Sequence, residues 1–188
     1  MTKLTVTTLL IVTSLISACA NVAPQYGASA NNFDKLRELS ASGSTRLSVA
    51  QFSTFEPGLR SITCRGVAPV EPPDGKTYEA FIQEALTTEL KLAGIYAPES
   101  PVKLEARLEN INFNSSIGAG KWVIDMTFSA KGIDPFRVNS TYHFSTNWLG
   151  DIACRQVATA LPEAIQDLIA QVIAHPDFKA LAKQNSAK

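Results

Sequence analysis

The sequence has little with which to build a familiar active site. Its 188 residues hold only two histidines, His143 and His175, and three cysteines, with no Cys-x-x-Cys pair and no paired histidines. That spacing excludes a simple zinc-type metal site. No Gly-x-Ser-x-Gly, His-Glu-x-x-His, Walker loop or dinucleotide fingerprint occurs, so no cofactor is expected and no catalytic residue is assigned. The glycines and lysine of Gly118 to Trp122 lie between two expected strands, where a hairpin turn fits better than a phosphate cradle, which needs a helix N-terminus. Charge of one sign is missing too, since 17 basic residues balance 17 acidic ones. Phosphate binding draws on a basic surplus or stripe, so no nucleic-acid partner is expected.

A long hydrophobic run is also absent from the start of the chain. Lys3 precedes Leu4, Val6, Leu9, Leu10, Ile11, Val12, Leu15 and Ile16, a core shorter than the roughly 18 apolar residues that a membrane-spanning helix requires. Export and cleavage suit residues 1–18 better than a permanent span. The stretch Ile16-Ser17-Ala18-Cys19 resembles the bacterial lipobox, in which small residues admit a peptidase and the cysteine sulfur is alkylated. The resemblance implies that Cys19 becomes the first residue of the mature protein and carries fatty chains. Each buried methylene contributes about 0.8 kcal/mol, and two or more chains anchor stably. Ala20 stands where an aspartate would favour the inner membrane of Gram-negative cells, so the outer membrane is expected, with the domain facing the periplasm.

Setting Cys19 aside leaves Cys64 and Cys154, an even pair in an oxidising compartment. A disulfide is the leading interpretation. Closing a loop of about 90 residues contributes on the order of 4 kcal/mol in the chain-entropy model. The alternative is a nucleophilic Cys64 or Cys154 served by His143 or His175.

Residues 19–44, rich in Ala, Asn, Ser and Gly, read as a lipidated N-terminus and flexible tether; within it Phe33, Leu36 and Leu39 repeat as a short amphipathic piece, a helical turn or two that either caps the domain or stays mobile. A single domain is expected over 45–188. Thr45 to Phe52 alternates as a first strand, Ile62 to Gly66 suggests another short extended piece, and the prolines of 67–77 impose a stiff loop. Lys76 to Ala93 is the clearest helix: Tyr78, Phe81, Ile82, Ala85, Leu86 and Leu90 share one stripe, and Gly94 ends it. Three alternating strands follow. The first carries Val102, Leu104, Ala106 and Leu108, then slips phase after Asn110; the second carries Trp122 to Ala130; the third carries Phe136 to Phe144. Gly150 to Ala174 forms a second apolar helix, with a kink or fresh start expected at Pro162, and residues 175–183 close the domain. The fold class is therefore α+β: an antiparallel sheet of about four strands with two main helices on one face, in the order β-α-β-β-β-α.

This order behind a lipobox, with the stretches Tyr78 to Tyr96 and Ala153 to Phe178, resembles small Gram-negative envelope lipoproteins, including the YajG-like family and the auxiliary lipoproteins of envelope transporters. The resemblance implies a non-enzymatic accessory or binding module with two partners: the membrane, through the lipid, and an envelope protein. The polar row Lys103, Glu105, Arg107 and Glu109, with Lys121, Asp125 and Arg137, would be its docking surface if it is more than a solvated face. Two alternatives remain. One is an envelope hydrolase using His143 with an acidic residue of the polar sheet face. The other is a carrier of a small apolar ligand in a pocket lined by Phe81, Trp122 and Phe128. Trp148, at the strand-helix junction, is unassigned.

Overall fold

The computed structural model describes residues 20–41, 43, 46–66 and 68–183. The signal-peptide assignment and Cys19 lie outside the described residues.

Three long strands form the centre: β6 (Lys103–Asn114), β7 (Gly120–Ser129) and β8 (Phe136–Phe144), joined as an antiparallel meander. Their alternation decides which side is covered. Leu104, Ala106 and Leu108 of β6, Trp122, Ile124, Met126 and Phe128 of β7, and Phe136 and Val138 of β8 are all buried. Register brings them together, with Leu108 opposite Met126 and Phe128 opposite Phe136. The phase slip is a bulge between Leu108 and Asn110, which makes Glu109 the extra residue and returns Ile111 to the buried face opposite Ile124.

Two helices cover that face. Helix α2 (Tyr78–Leu92) buries Tyr78, Phe81, Ile82, Ala85, Leu86 and Leu90. Gly94, at φ +75°, then turns the chain so that Ile95 N–H reaches back to the Leu90 carbonyl. Helix α3 (Gly150–Ala174) lies across β7 and β8 with thirteen buried residues. It is long and apolar enough to cross a membrane by composition, but those side chains are spent on the core of this domain. It runs through Pro162 as one helix, with no fresh start. Proline leaves the Ala158 carbonyl without its helical donor. Helix α4 (Pro176–Lys183) closes the end by burying Phe178 and Leu181.

The sheet is mixed rather than wholly antiparallel. The first expected strand divides into β2 (Ser48–Val49) and β3 (Ser53–Thr54), and both lie parallel to β6. The connection allows this: β4, β5 and α2 intervene before β6, and parallel neighbours need a long crossover of this kind. A second, smaller sheet has the order β1 (Asn21–Val22), β5 (Ala68–Glu71), β4 (Ile62–Cys64) and sits beside α3.

The described part of the expected tether, 20–41, is built into the domain instead. Asn21 and Val22 pair parallel with Val70 and Glu71, and helix α1 (Ala30–Ala41) packs on α2 and α3 with Leu36 fully buried. The amphipathic piece at Phe33, Leu36 and Leu39 caps the domain, with Ala23 and Tyr26 also packed on the core, and polar groups add to the hold. Asn32 donates its amide to the Gln166 carbonyl at 3.0 Å, and Gln166 donates to the Gly27 carbonyl at 2.8 Å.

Candidate functional site

The uncovered side of the sheet carries the row of charges expected to form a docking face. Lys103, Glu105, Arg107, Lys121, Arg137, Thr141 and His143 are exposed on it. Among the described residues, two ion pairs form within it. Arg107 reaches Glu109 at 3.0 Å, and Arg137 reaches Asp125 at 3.2 Å. Asp125, nearly buried, also accepts the side-chain amide of Asn139. Lys121 stands opposite Asn114 on one side and His143 on the other, not beside Asp125. His143 therefore has a lysine as its cross-strand neighbour and makes no hydrogen bond to a carboxylate among the described residues. A general acid or base needs such a partner to be oriented and tuned. His175 lies elsewhere, at the C-cap of α3, with its ring stacked on Phe136 at 4.4 Å.

Phe81, Trp122 and Phe128 do not line an open pocket. All three are essentially inaccessible. Trp122 contacts Tyr78 and Phe113, Phe128 contacts Phe52 and Phe136, and the indole N–H of Trp122 donates to the Val157 carbonyl at 3.0 Å. A satisfied indole in a filled core is structural.

A polar cleft lies where β8, α3 and the N-terminal segment meet. Tyr142 donates to Glu163 at 2.6 Å, and Ser140 and Gln171 both donate to Asp167. The Tyr142 phenol is pushed up to about 12, chiefly by its bond to the Glu163 carboxylate. Both carboxylates already accept hydrogen bonds from neighbours, so the cleft locks β8 to α3.

Two features carry more than the sequence reading assigned them. One is Glu89, which is fully buried on α2 and accepts the Tyr26 hydroxyl at 2.7 Å and the Ser29 N–H at 2.8 Å. Burial, reinforced by this carboxylate, holds the Tyr26 phenol far above its ordinary range. Helical spacing placed Glu89 beside Leu86 and Leu90 on the apolar stripe, a signal that was present. The other is Arg65, in a left-handed turn (φ 49°) beside Gly66. Its guanidinium donates to the Ser115 carbonyl at 2.6 Å, the Trp148 carbonyl at 3.0 Å and the Asn147 carbonyl at 3.2 Å. It thereby ties the β4–β5, β6–β7 and β8–α3 connections together. The adjacent Cys64 is bonded to Cys154 in a disulfide with Cα atoms 5.8 Å apart, so neither thiol is available as a nucleophile.

Fold and surface define a small α+β domain with a mixed sheet, stapled by one disulfide at the start of its core helix, with one polar sheet face open. No protein-family model matches the chain, and no curated protein matches it. A solved structure with a similar outline is protein XCC0632 from Xanthomonas campestris, of the DUF330 family. It shares 11% identity over 70% of this chain and 85% of that one, with a TM-score of 0.44. At that identity and score the likeness bears on neither site nor activity.

Proposed function

We propose that the chain is a lipid-anchored, non-enzymatic accessory or binding module of a Gram-negative envelope, held to the outer membrane through Cys19 and facing the periplasm. The class is that of the YajG-like and transport-auxiliary lipoproteins. The observation that carries this reading is the pairing of Cys64 with Cys154, which leaves Cys19 as the remaining cysteine, directly after Ile16, Ser17 and Ala18. A disulfide belongs to an exported protein, and the lipobox pattern provides the export route. The module character draws its support from the open polar face of β6, β7 and β8, where among the described residues His143 makes no hydrogen bond to a carboxylate. A surface-restricted module gains effective concentration for a partner in the same envelope.

Intact mass and fractionation test the anchor. The native protein should begin at residue 19, weigh more than its amino acids by a diacylglyceryl group and an acyl chain, and sediment with outer membranes. Cys19→Ser should release it. An unmodified mass, or membrane association unaffected by Cys19→Ser, refutes the reading. Crosslinking in intact cells from Lys103 and Lys121 should then return one envelope protein.

A further inference from the structure

Large apolar side chains left in solvent are unevenly distributed over this domain. Six are exposed among the described residues: Val22, Phe55, Leu92, Ile117, Trp148 and Leu149. Three of these lie at one end. Ile117 (71% exposed) sits on the β6–β7 turn and Trp148 (69%) on the β8–α3 connection, with Leu149 following it. These two loops are bound together: Gly118 N–H donates to the Thr146 carbonyl, the Thr146 hydroxyl donates to the Ser116 carbonyl, and Arg65 bridges Ser115 to Asn147 and Trp148. A loop pinned this firmly holds Trp148 outward as part of its structure.

The start of the described chain is at the same end. Strand β1 runs parallel to β5, which leaves the Arg65–Gly66 turn at Ala68 and travels away from it, so β1 also begins at its Arg65 end. Ala20, Asn21 and exposed Val22 border a cleft with Arg155, Ala158 and Thr159, and Arg155 directly follows the disulfide-bonded Cys154. Consecutive Cα atoms are about 3.8 Å apart, so only one residue separates Cys19 from the pairing of Asn21 with Val70. A lipoprotein with a long spacer can float in any orientation. Here β1 is fixed in a sheet, and a lipid on Cys19 would bring the bilayer to this end of the domain.

We propose that the end carrying Ile117, Trp148 and Leu149, to which the start of β1 points, seats in the interfacial zone of a phospholipid bilayer, holding the domain in one orientation. The inference rests on the reading of Cys19 as lipidated and adds a second, non-covalent membrane contact. Tryptophan suits that zone because its ring is apolar and its N–H stays at the headgroup level. Arg155, 61% exposed and only weakly engaged with Asp151 on the surface, stands where lipid phosphates would be. The seating leaves the polar face of the sheet, which runs away from this end along β6 to β8, free for a protein partner.

The protein contains two tryptophans, and the other, Trp122, is inaccessible, which makes fluorescence a direct test. Full-length lipidated protein is reconstituted into vesicles of phosphatidylethanolamine and phosphatidylglycerol, with or without bromine on the acyl chains near the headgroups. Brominated lipid should roughly halve Trp148 emission, and acrylamide quenching of Trp148 should fall severalfold relative to the Cys19→Ser protein in solution. Trp148→Phe should abolish both responses and leave only the Trp122 signal. Lipidated, vesicle-bound protein whose Trp148 stays as open to acrylamide as in solution, with no response to bromine, overturns this inference alone. A purified chain of unmodified mass overturns the anchor and the seating together.

Discussion

Removing one hydroxyl, with Tyr26→Phe, tests whether the N-terminal segment is part of the folded domain. The Tyr26 hydroxyl donates at 2.7 Å to Glu89, whose carboxylate is fully buried and keeps only the Ser29 N–H as its other donor among the described residues. Phenylalanine preserves the ring, so the loss is confined to one hydrogen bond to a charged group, worth about 1.5–3 kcal/mol. For a domain of this size that lowers the melting temperature by roughly 3–12 °C. If residues 20–41 open as a local unit, the same loss raises amide exchange across β1 and α1 by roughly 10- to 150-fold, before the central strands respond. A second readout comes from alkaline pH. Burial, with help from the Glu89 carboxylate, raises Tyr26; burial, with help from Glu71, raises Tyr78. Above about pH 10 the unfolded chain releases these protons while the folded one keeps them. Stability is therefore full below pH 10 and falls by roughly 1.4 kcal/mol per pH unit for each buried phenol as pH rises further. Tyr26→Phe removes one of these contributions and makes the alkaline decline shallower. Paired with Glu89→Leu, it should be less damaging than the sum of the single changes, because the two groups then leave together. A Tyr26→Phe protein that melts within about 0.5 kcal/mol of the parent, with unchanged exchange in β1 and α1, refutes the argument.

Two further outcomes follow from the packing. Replacing Cys64 and Cys154 together by alanine opens a 90-residue loop and should cost about 4–5 kcal/mol in denaturant unfolding; a loss below about 1 kcal/mol would refute the loop-entropy argument. Gly120→Ala should destabilise by about 1–3 kcal/mol, because its Cβ would stand 2.5 Å from the Phe144 ring and 2.6 Å from Thr146; a neutral result in a thermal melt would show that the Phe144 ring gives way freely.

The long elements were determined by the sequence alone. Alternation over nine to twelve residues specifies which face of β6, β7 and β8 is buried, including that the phase slips near Asn110, while the structure fixes the bulge at Glu109; the three-to-four spacing of α2 and α3 specifies the stripes that cover that face. The pairing of Cys64 with Cys154 was likewise legible, as an even pair once Cys19 is assigned to the lipobox. The tertiary structure alone decided the parallel attachment of β2 and β3, the small sheet of β1, β5 and β4, the docking of residues 20–41, and the grip of Arg65 on three connections. The physical reason is length and distance. Strands of two to four residues hold too few alternations to show a face. Contacts such as Tyr26 to Glu89 or Arg65 to Trp148 join groups more than sixty residues apart, through single hydrogen bonds that leave no periodic trace in the chain.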